Sequence, residues 1–459
     1  MRLPVALWCA TRAVLLLTVF KVLTVPGPDV TTDVSVIYRT WSEVLRTGSF
    51  PLDDVTWQYP PGAALAVLSP GALPFLEYAS AFFVLMCAAD AAAFALLLRA
   101  SRRPGGRTAG AWCWTVGVPL LGPTAYARYD LLVTAVAVAA LLALARRPRT
   151  AAALAACGAL LKVWPALLLV GVGRGRTARA VWATAAGTAL AGTAVFAATM
   201  PGALDFLTAQ RDRGTEVESL GSLVFHVARH HGWEGQVLLN YGSVEFLGPY
   251  VDVVSDVSLG LSLLGFGWLL LWRVRAVEWT ESTAADAAFA AVLVFTTTSR
   301  VISPQYMLWL VGLAAVCVSL RASRQTPPAL LVVVATGVTL LEFPLGFAHV
   351  VASDARGVTL LAVRNGLLVA ATVLACVRLW RTTVTEPRRA GAVPGAREAA
   401  GAAVPPWRTG RSGPRHAARA TGERTAAGAR TGTATGADAG HPDDGDGTGG
   451  RAQASSSRR

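Results

Sequence analysis

The chain has 459 residues, of which 53% are hydrophobic and only 15% charged, with a net charge of +13 and a mean hydropathy of +0.48. A soluble domain carries about 25% charged residues, so this composition excludes an ordinary water-soluble globule and leaves room for many apolar spans of about 20 residues each. The arginine surplus sits in short loops between apolar runs and in the C-terminal tail, which reads as membrane orientation and contact with anionic headgroups rather than nucleic-acid binding.

The first apolar run, about 4–25, is interrupted by Arg12 and Lys21 and shows no small-x-small cleavage site before Pro26, so it is expected to be a retained span rather than a signal peptide. Further spans are predicted at about 79–98, 110–126, 131–145, 178–199, 253–272, 284–299, 303–320, 327–346 and 359–380. They lack the alternation of a membrane barrel, so the expected fold is an all-α polytopic bundle of about 10–12 transmembrane helices. Stretch 151–173 holds two short apolar halves around Lys162-Val163-Trp164-Pro165. It reads as a helical hairpin with Lys162 near its tip, or as one bent span. Each of the six cysteines falls within an apolar stretch and no CxxC spacing occurs, so neither a disulfide framework nor a metal site is expected.

With the hairpin counted in and out, the arginine clusters at 99–107, 146–149, 174–179, 273–275, 321–324 and 378–381 all fall on one side, which the positive-inside rule makes cytoplasmic. The other side receives two long loops, about 26–62 and 200–252, and short turns at 127–130, 299–304 and 347–357. Residues 1–385 form the predicted membrane domain. Residues 386–459 are rich in Ala, Gly, Arg, Thr and Ser and nearly free of large apolar side chains, and are expected to be a disordered cytoplasmic tail.

Chemistry should sit on the outer side. In the first long loop Val34, Ile37, Tyr38, Trp41, Val44 and Leu45 share one helical face, which predicts a helix lying in the membrane interface and ended by Gly48. Asp33 at its start is either an N-cap or a general base at the membrane surface. Trp57-Gln58-Tyr59-Pro60-Pro61-Gly62 forms a stiff corner in which Tyr59 could line a site. Arg128 and Asp130 flank Tyr129 at an outer turn, either as a structural pair or as substrate contacts, and Lys162 requires an anion or a water-filled cavity unless it snorkels. Gln210-Arg211-Asp212-Arg213 leads into Glu216 and Glu218 in a charged loop. Arg300, shortly before Ser303-Pro304-Gln305-Tyr306, is a candidate phosphate ligand because a planar guanidinium suits that geometry. His226, His230, His231 and His349 are scattered. The sequence has no P-loop, no HExxH and no metal-spaced His/Cys cluster, and offers nothing for ATP-driven transport.

Several phrases, in order, resemble glycosyltransferase family 87: Asp33 through Tyr38 and Trp41, Gly48-Ser49-Phe50-Pro51, Tyr59-Pro60-Pro61, Arg128-Tyr129-Asp130-Leu131-Leu132, Lys162-Val163-Trp164-Pro165, Arg213-Gly214 with Glu218-Ser219, and Ser303-Pro304-Gln305-Tyr306. The resemblance spans about residues 10–380. It implies a GT-C fold and an activity like that of polyprenyl-phosphate-mannose-dependent α-1,2-mannosyltransferases of actinobacteria, with a polyprenyl-phosphate-linked sugar as donor and a glycolipid or glycan as acceptor. It also implies Asp33 as the catalytic base, with Asp53 and Asp54 in reserve, and Tyr38, Tyr59, Arg128, Asp130, Lys162, Arg213, Glu218, Arg300, Gln305 and Tyr306 as substrate-binding residues. Leu52 stands where many relatives would carry an aromatic. The leaving lipid phosphate is already an anion, so no metal cofactor is required in principle, although a divalent metal would be compatible. The competing reading is a polytopic transporter or lipid flippase without transferase activity.

Overall fold

The computed structural model describes residues 2–52, 54–209 and 213–385. The expected tail at 386–459, the reserve Asp53 and the run Gln210-Arg211-Asp212 lie outside the described residues. The first half of the chain forms α1 (Arg2–Val19), α2 (Arg39–Arg46), α3 (Ala63–Leu68), α4 (Tyr78–Ser101), α5 (Ala109–Gly117), α6 (Asp130–Leu144), α7 (Pro148–Leu161) and α8 (Arg176–Thr199). The second half forms α9 (Leu223–Ala228), α10 (Val251–Arg275), α11 (Thr283–Thr298), α12 (Tyr306–Ser319), α13 (Thr326–Glu342), α14 (Phe347–Ala352) and α15 (Ala355–Trp380). Every predicted span has a helix within a few residues of its expected place, and the protein is an all-α polytopic membrane protein.

Five helical segments are long and apolar enough to cross a membrane: α1, α4, α8, α10 and the stretch Ala355–Thr385 that continues α15. The other expected spans are shorter, and packing explains why. In α12 every residue from Met307 to Ser319 is buried, and α11 is buried along most of its length. A helix surrounded by protein need not match the hydrocarbon thickness, because its ends meet other backbone rather than lipid. The expected span 110–126 is divided for a different reason. Pro119 and Pro123 cannot continue an α-helix, and the chain after α5 tightens into a 3-10 turn over Pro119–Ala125 with Gly122 at φ +60°.

Stretch 148–174 is a hairpin. α7 stops at Leu161, four residues before Pro165, whose ring would clash with the Leu161 carbonyl in a continued helix. Lys162 is extended (φ −155°, ψ 137°), and a 3-10 turn follows at Trp164–Leu169. The second limb folds back on the first so closely that a Cβ on Gly158 would stand 3.0 Å from that of Pro165. Arg146, Pro148 and residues 171–174 line one common cavity, so both limbs end on the same face.

The six arginine clusters meet on that face. Arg103 Nη1 donates to the Leu142 carbonyl (3.0 Å), Arg107 N to Ser319 O (2.8 Å), and Arg174 Nη2 to Arg273 O (2.7 Å). Arg378 Nη1 reaches Arg324 O (3.1 Å), and Val277 N donates to Thr383 O (3.0 Å). Arg12, inside α1, is buried and fully engaged. Its Nε donates to Asp90 Oδ2 (2.7 Å) and its Nη atoms to the carbonyls of Thr115 and Trp114, while Trp114 and Tyr126 also donate to Asp90. This satisfied pair ties α1, α4 and α5 together, which removes the cost of a lone charge in the membrane.

The second long loop carries a feature that the sequence reading missed. A three-stranded antiparallel sheet in the order β1-β3-β2 is built from β1 (Thr215–Glu216), β2 (Gln236–Asn240) and β3 (Ser243–Leu247), with Glu216 opposite Glu245. Tyr241 and Gly242 join β2 to β3, both with positive φ (49° and 75°), as a two-residue hairpin turn requires.

Candidate active site

The elements opposite the arginine-rich face converge. Asp33 opens a short π-helical turn, Asp33–Tyr38, that runs directly into α2. Its carboxylate forms an ion pair with Arg128, and neither is deeply buried (32% and 14% exposed). Thr32, not Asp33, occupies the N-cap position, and it makes no side-chain capping bond. The expected apolar face of this loop is present, but protein covers it rather than lipid. Val34, Tyr38, Trp41 and Leu45 are buried, Trp41 stacks on Tyr38 (5.4 Å), and its Nε1 donates to Asp54 Oδ2 (2.7 Å). Asp54 therefore braces the loop. It also accepts from Thr56 N (2.9 Å), and although burial works the other way, these hydrogen bonds hold its pKa below the usual carboxylate value. Gly48, at φ +86°, follows the end of α2 as expected.

Arg128 and Asp130 do not pair with each other. Arg128 turns to Asp33, and Asp130 turns to Lys162, whose Nζ lies 2.6 Å from Asp130 Oδ1. Trp309 Nε1 donates to the same oxygen (2.7 Å), while Asp130 Oδ2 is buried without a hydrogen-bond partner. Lys162 is 12% exposed and does not snorkel. Its ammonium stands 5.2–5.9 Å from the ring centres of Tyr59, Tyr129, Tyr306 and Trp309. Such contacts strengthen as water is excluded. Tyr129 lies between Tyr38 (5.9 Å) and Tyr59 (5.4 Å), so the tyrosines join the two ion pairs into one cluster. Burial opposes the charge on Arg128, but Asp33, together with Tyr38, Tyr59 and Asp130, offsets it and its pKa stays raised. Burial likewise pushes the Tyr59 phenol up, so that ring is a neutral donor.

The later landmarks form the flank of this cluster. Ser303 Oγ donates to Glu216 Oε1 (2.8 Å), and Glu216 Oε2 is buried without a partner. Burial raises the Glu216 pKa against the opposing pull of Arg213. Tyr306 stacks on Trp309 (3.9 Å), and half-buried Gln305 sits at the head of α12. Arg213 is held as a clamp: Nε to Glu245 Oε1 (2.5 Å), Nη1 to Gln58 Oε1 (3.1 Å) and Nη2 to Ser243 Oγ (2.5 Å). Arg300 Nη1 donates to the Arg213 carbonyl (2.9 Å), so Arg300 supports Arg213 from behind. Glu218 faces away, toward α13 and α15. Burial and the nearby Glu342 carboxylate push its pKa well up. Arg364 donates to both oxygens of Glu342 (3.0 and 2.7 Å) and to the Glu218 carbonyl (2.8 Å). Among the described residues no group of three or more His, Cys, Asp or Glu side chains converges at metal-binding spacing.

A paired carboxylate at a partly open rim, with a caged ammonium and a guanidinium beside it, can accept a proton and hold an anionic group. The family model for glycosyltransferase family 87 matches residues 57–304, more than half of the chain. The chain belongs to glycosyltransferase family 87. The matched stretch contains Tyr59, Arg128, Asp130, Lys162, Arg213, Glu218 and Arg300; Asp33 and Tyr38 precede it, and Gln305 and Tyr306 follow. No curated protein and no solved structure matches this family 87 member.

Sequence reasoning gave no role to Trp309, Tyr129, Gln58, Glu245, Glu342 or Arg364. Trp309 was detectable, since it lies three residues after Tyr306 and therefore on the same helical face. Glu342 and Arg364 were also detectable, as charges inside apolar runs. Glu245 had no such signal, because its role depends on a strand pairing between segments about 30 residues apart.

Proposed function

We propose that this membrane glycosyltransferase moves a sugar, mannose by its resemblance to polyprenyl-phosphate-mannose-dependent enzymes, from a polyprenyl-phosphate donor to a lipid or glycan acceptor, on the face opposite the arginine clusters and with inversion. Asp33 accepts the proton of the acceptor hydroxyl. The freed oxygen attacks the anomeric carbon from the side away from the phosphate, the bond between that carbon and the phosphate oxygen breaks, and polyprenyl phosphate leaves with the additional negative charge. Arg128 fixes the Asp33 carboxylate, and with Lys162 it presents two cations to the phosphate, where preorganised charge is most effective. Holding the two reactants beside this pair supplies the orientation that a bimolecular step lacks. Tyr59 and Tyr306, the tyrosines of the cluster that are only half-buried, give the sugar a stacking surface. The observation that carries this reading is the pairing of Asp33 with Arg128 beside the Lys162–Asp130 pair, inside one aromatic cluster. Family membership and this outer polar cluster favour an enzyme over a transporter.

The test is the purified chain in lipid vesicles, given radiolabelled polyprenyl-phosphate mannose, other polyprenyl-phosphate hexoses and candidate acceptors. Transfer of label to an acceptor with inverted anomeric configuration is expected. Movement of intact donor across the bilayer without transfer would overturn the proposal in favour of a flippase.

A further inference from the structure

At the opposite end of the molecule lies a cavity of about 460 Å³ that the transfer reaction does not use. Asp130 of the candidate site and Leu144 of this cavity stand at the two ends of α6, about 21 Å apart at 1.5 Å per residue. The volume falls in the range of small-ligand pockets, about 300–1,000 Å³. Arg103, Arg146 and Arg174 line it, and the only acid among its described lining residues is Glu281. Leu141, Leu142, Leu144, Val181 and Trp279 also line it and form its apolar wall. Two of the arginines are anchored: Arg103 Nη1 is held by Leu142 O, and Arg174 Nη2 by Arg273 O and Val274 O (2.7 and 3.0 Å). Each keeps further N–H donors for a ligand. Arg146 is exposed at the rim.

We propose that this cavity binds the phosphate headgroup of an anionic phospholipid from the leaflet at the arginine-rich face. The chemistry it recognises is a phosphate anion joined to an apolar body. Guanidinium forks suit phosphate oxygens, the apolar wall suits the start of an acyl chain, and the fixed arginines lose little freedom on binding. A free phosphate ester shares the anion but not the apolar body, which is why the lipid is the assigned occupant.

The test uses the full chain in neutral detergent, titrated with phosphatidylglycerol, phosphatidylcholine or glycerol 3-phosphate, with the thermal unfolding midpoint and direct lipid binding as readouts. Phosphatidylglycerol should raise the midpoint and phosphatidylcholine should not. Arg146→Gln, at a residue with no carbonyl to hold, should weaken phosphatidylglycerol binding about five-fold, the contribution of one basic group near an anionic surface. Arg149→Gln, three residues along at the start of α7, exposed and outside the cavity, should leave binding unchanged. Equal loss in both variants would show a diffuse charge effect and overturn the site, as would equal response to the two lipids. Glycerol 3-phosphate binding as tightly as phosphatidylglycerol would overturn the lipid assignment.

Discussion

At the scale of single residues, Asp33 has an ambiguity that substitution can separate. Asn caps a helix about as well as Asp, and the observed π-helical turn takes no cap from Asp33, so Asp33→Asn leaves the local fold intact. It does remove a proton acceptor, and general-base catalysis contributes about 100- to 10,000-fold. Turnover at saturating donor and acceptor should fall by that order at matched amounts of inserted protein; near-normal turnover would return Asp33 to a role as the counter-ion of Arg128. Asp130 calls for a different design. It is 1% exposed and bonded to Lys162 and Trp309, so under the proposed mechanism its part is to position Lys162. Asp130→Asn and Lys162→Met should each raise the KM for the lipid-phosphate donor, and the double variant should lose no more than the worse single change, a coupling of about 0.5–3 kcal/mol. Strict additivity in that cycle would show that the two residues act separately.

At the scale of elements, α13, α15 and the segment after β1 meet at Glu342, Arg364 and Glu218. Both partners of the Glu342–Arg364 pair are fully buried, so removing one leaves an uncompensated charge. Glu342→Gln should therefore lower stability by about 3–5 kcal/mol, read as the midpoint of thermal unfolding in detergent. Glu218→Gln is the matched control. Burial and Glu342 already favour the neutral carboxyl of Glu218, which glutamine imitates, so the midpoint should barely move. A loss as large as that of Glu342→Gln would mean that Glu218 is ionised in the folded protein. The same elements show where sequence reading succeeds and stops. The positions of the ten expected spans followed from apolar length, though the short helices α3, α9 and α14 did not, and the break at Leu161 followed from Pro165. Lys162 was recognisable as a charge in need of an anion, but not which anion, because Asp130 is 32 residues away and its choice over Asp33 depends on how α6 packs against the hairpin. The covering of the Trp41 face was also illegible: an amphipathic pattern reports an apolar face, and it does not say whether lipid or protein lies against it.

At the scale of the whole molecule, the two faces differ in chemistry. One gathers arginine clusters around short connections through bonds such as Arg174 to Arg273 O and Arg378 to Arg324 O. The other brings five loops together through four contacts: Arg128 to Asp33, Gln58 Nε2 to Tyr241 O (2.7 Å), Glu216 N to Arg300 O (3.1 Å) and His226 to Ser353 Oγ (2.8 Å). Because translocation selects against arginine in short loops, the first face is expected in the cytoplasm and the second outside. The expectation tests the hairpin as well, since a single bent span at 148–174 would reverse every later connection. Arg149, at the start of the hairpin's first limb, and Glu234, in the second long loop, are both exposed and are expected on opposite faces. In a chain whose six cysteines are replaced, Glu234→Cys should react with a membrane-impermeant thiol reagent in intact cells, and Arg149→Cys only after permeabilisation. Labelling of both positions from outside would show that the chain crosses the bilayer an even number of times between them, and would refute the hairpin topology; labelling of Arg149→Cys alone would keep the hairpin and invert the protein, carrying the candidate active site to the cytoplasmic side.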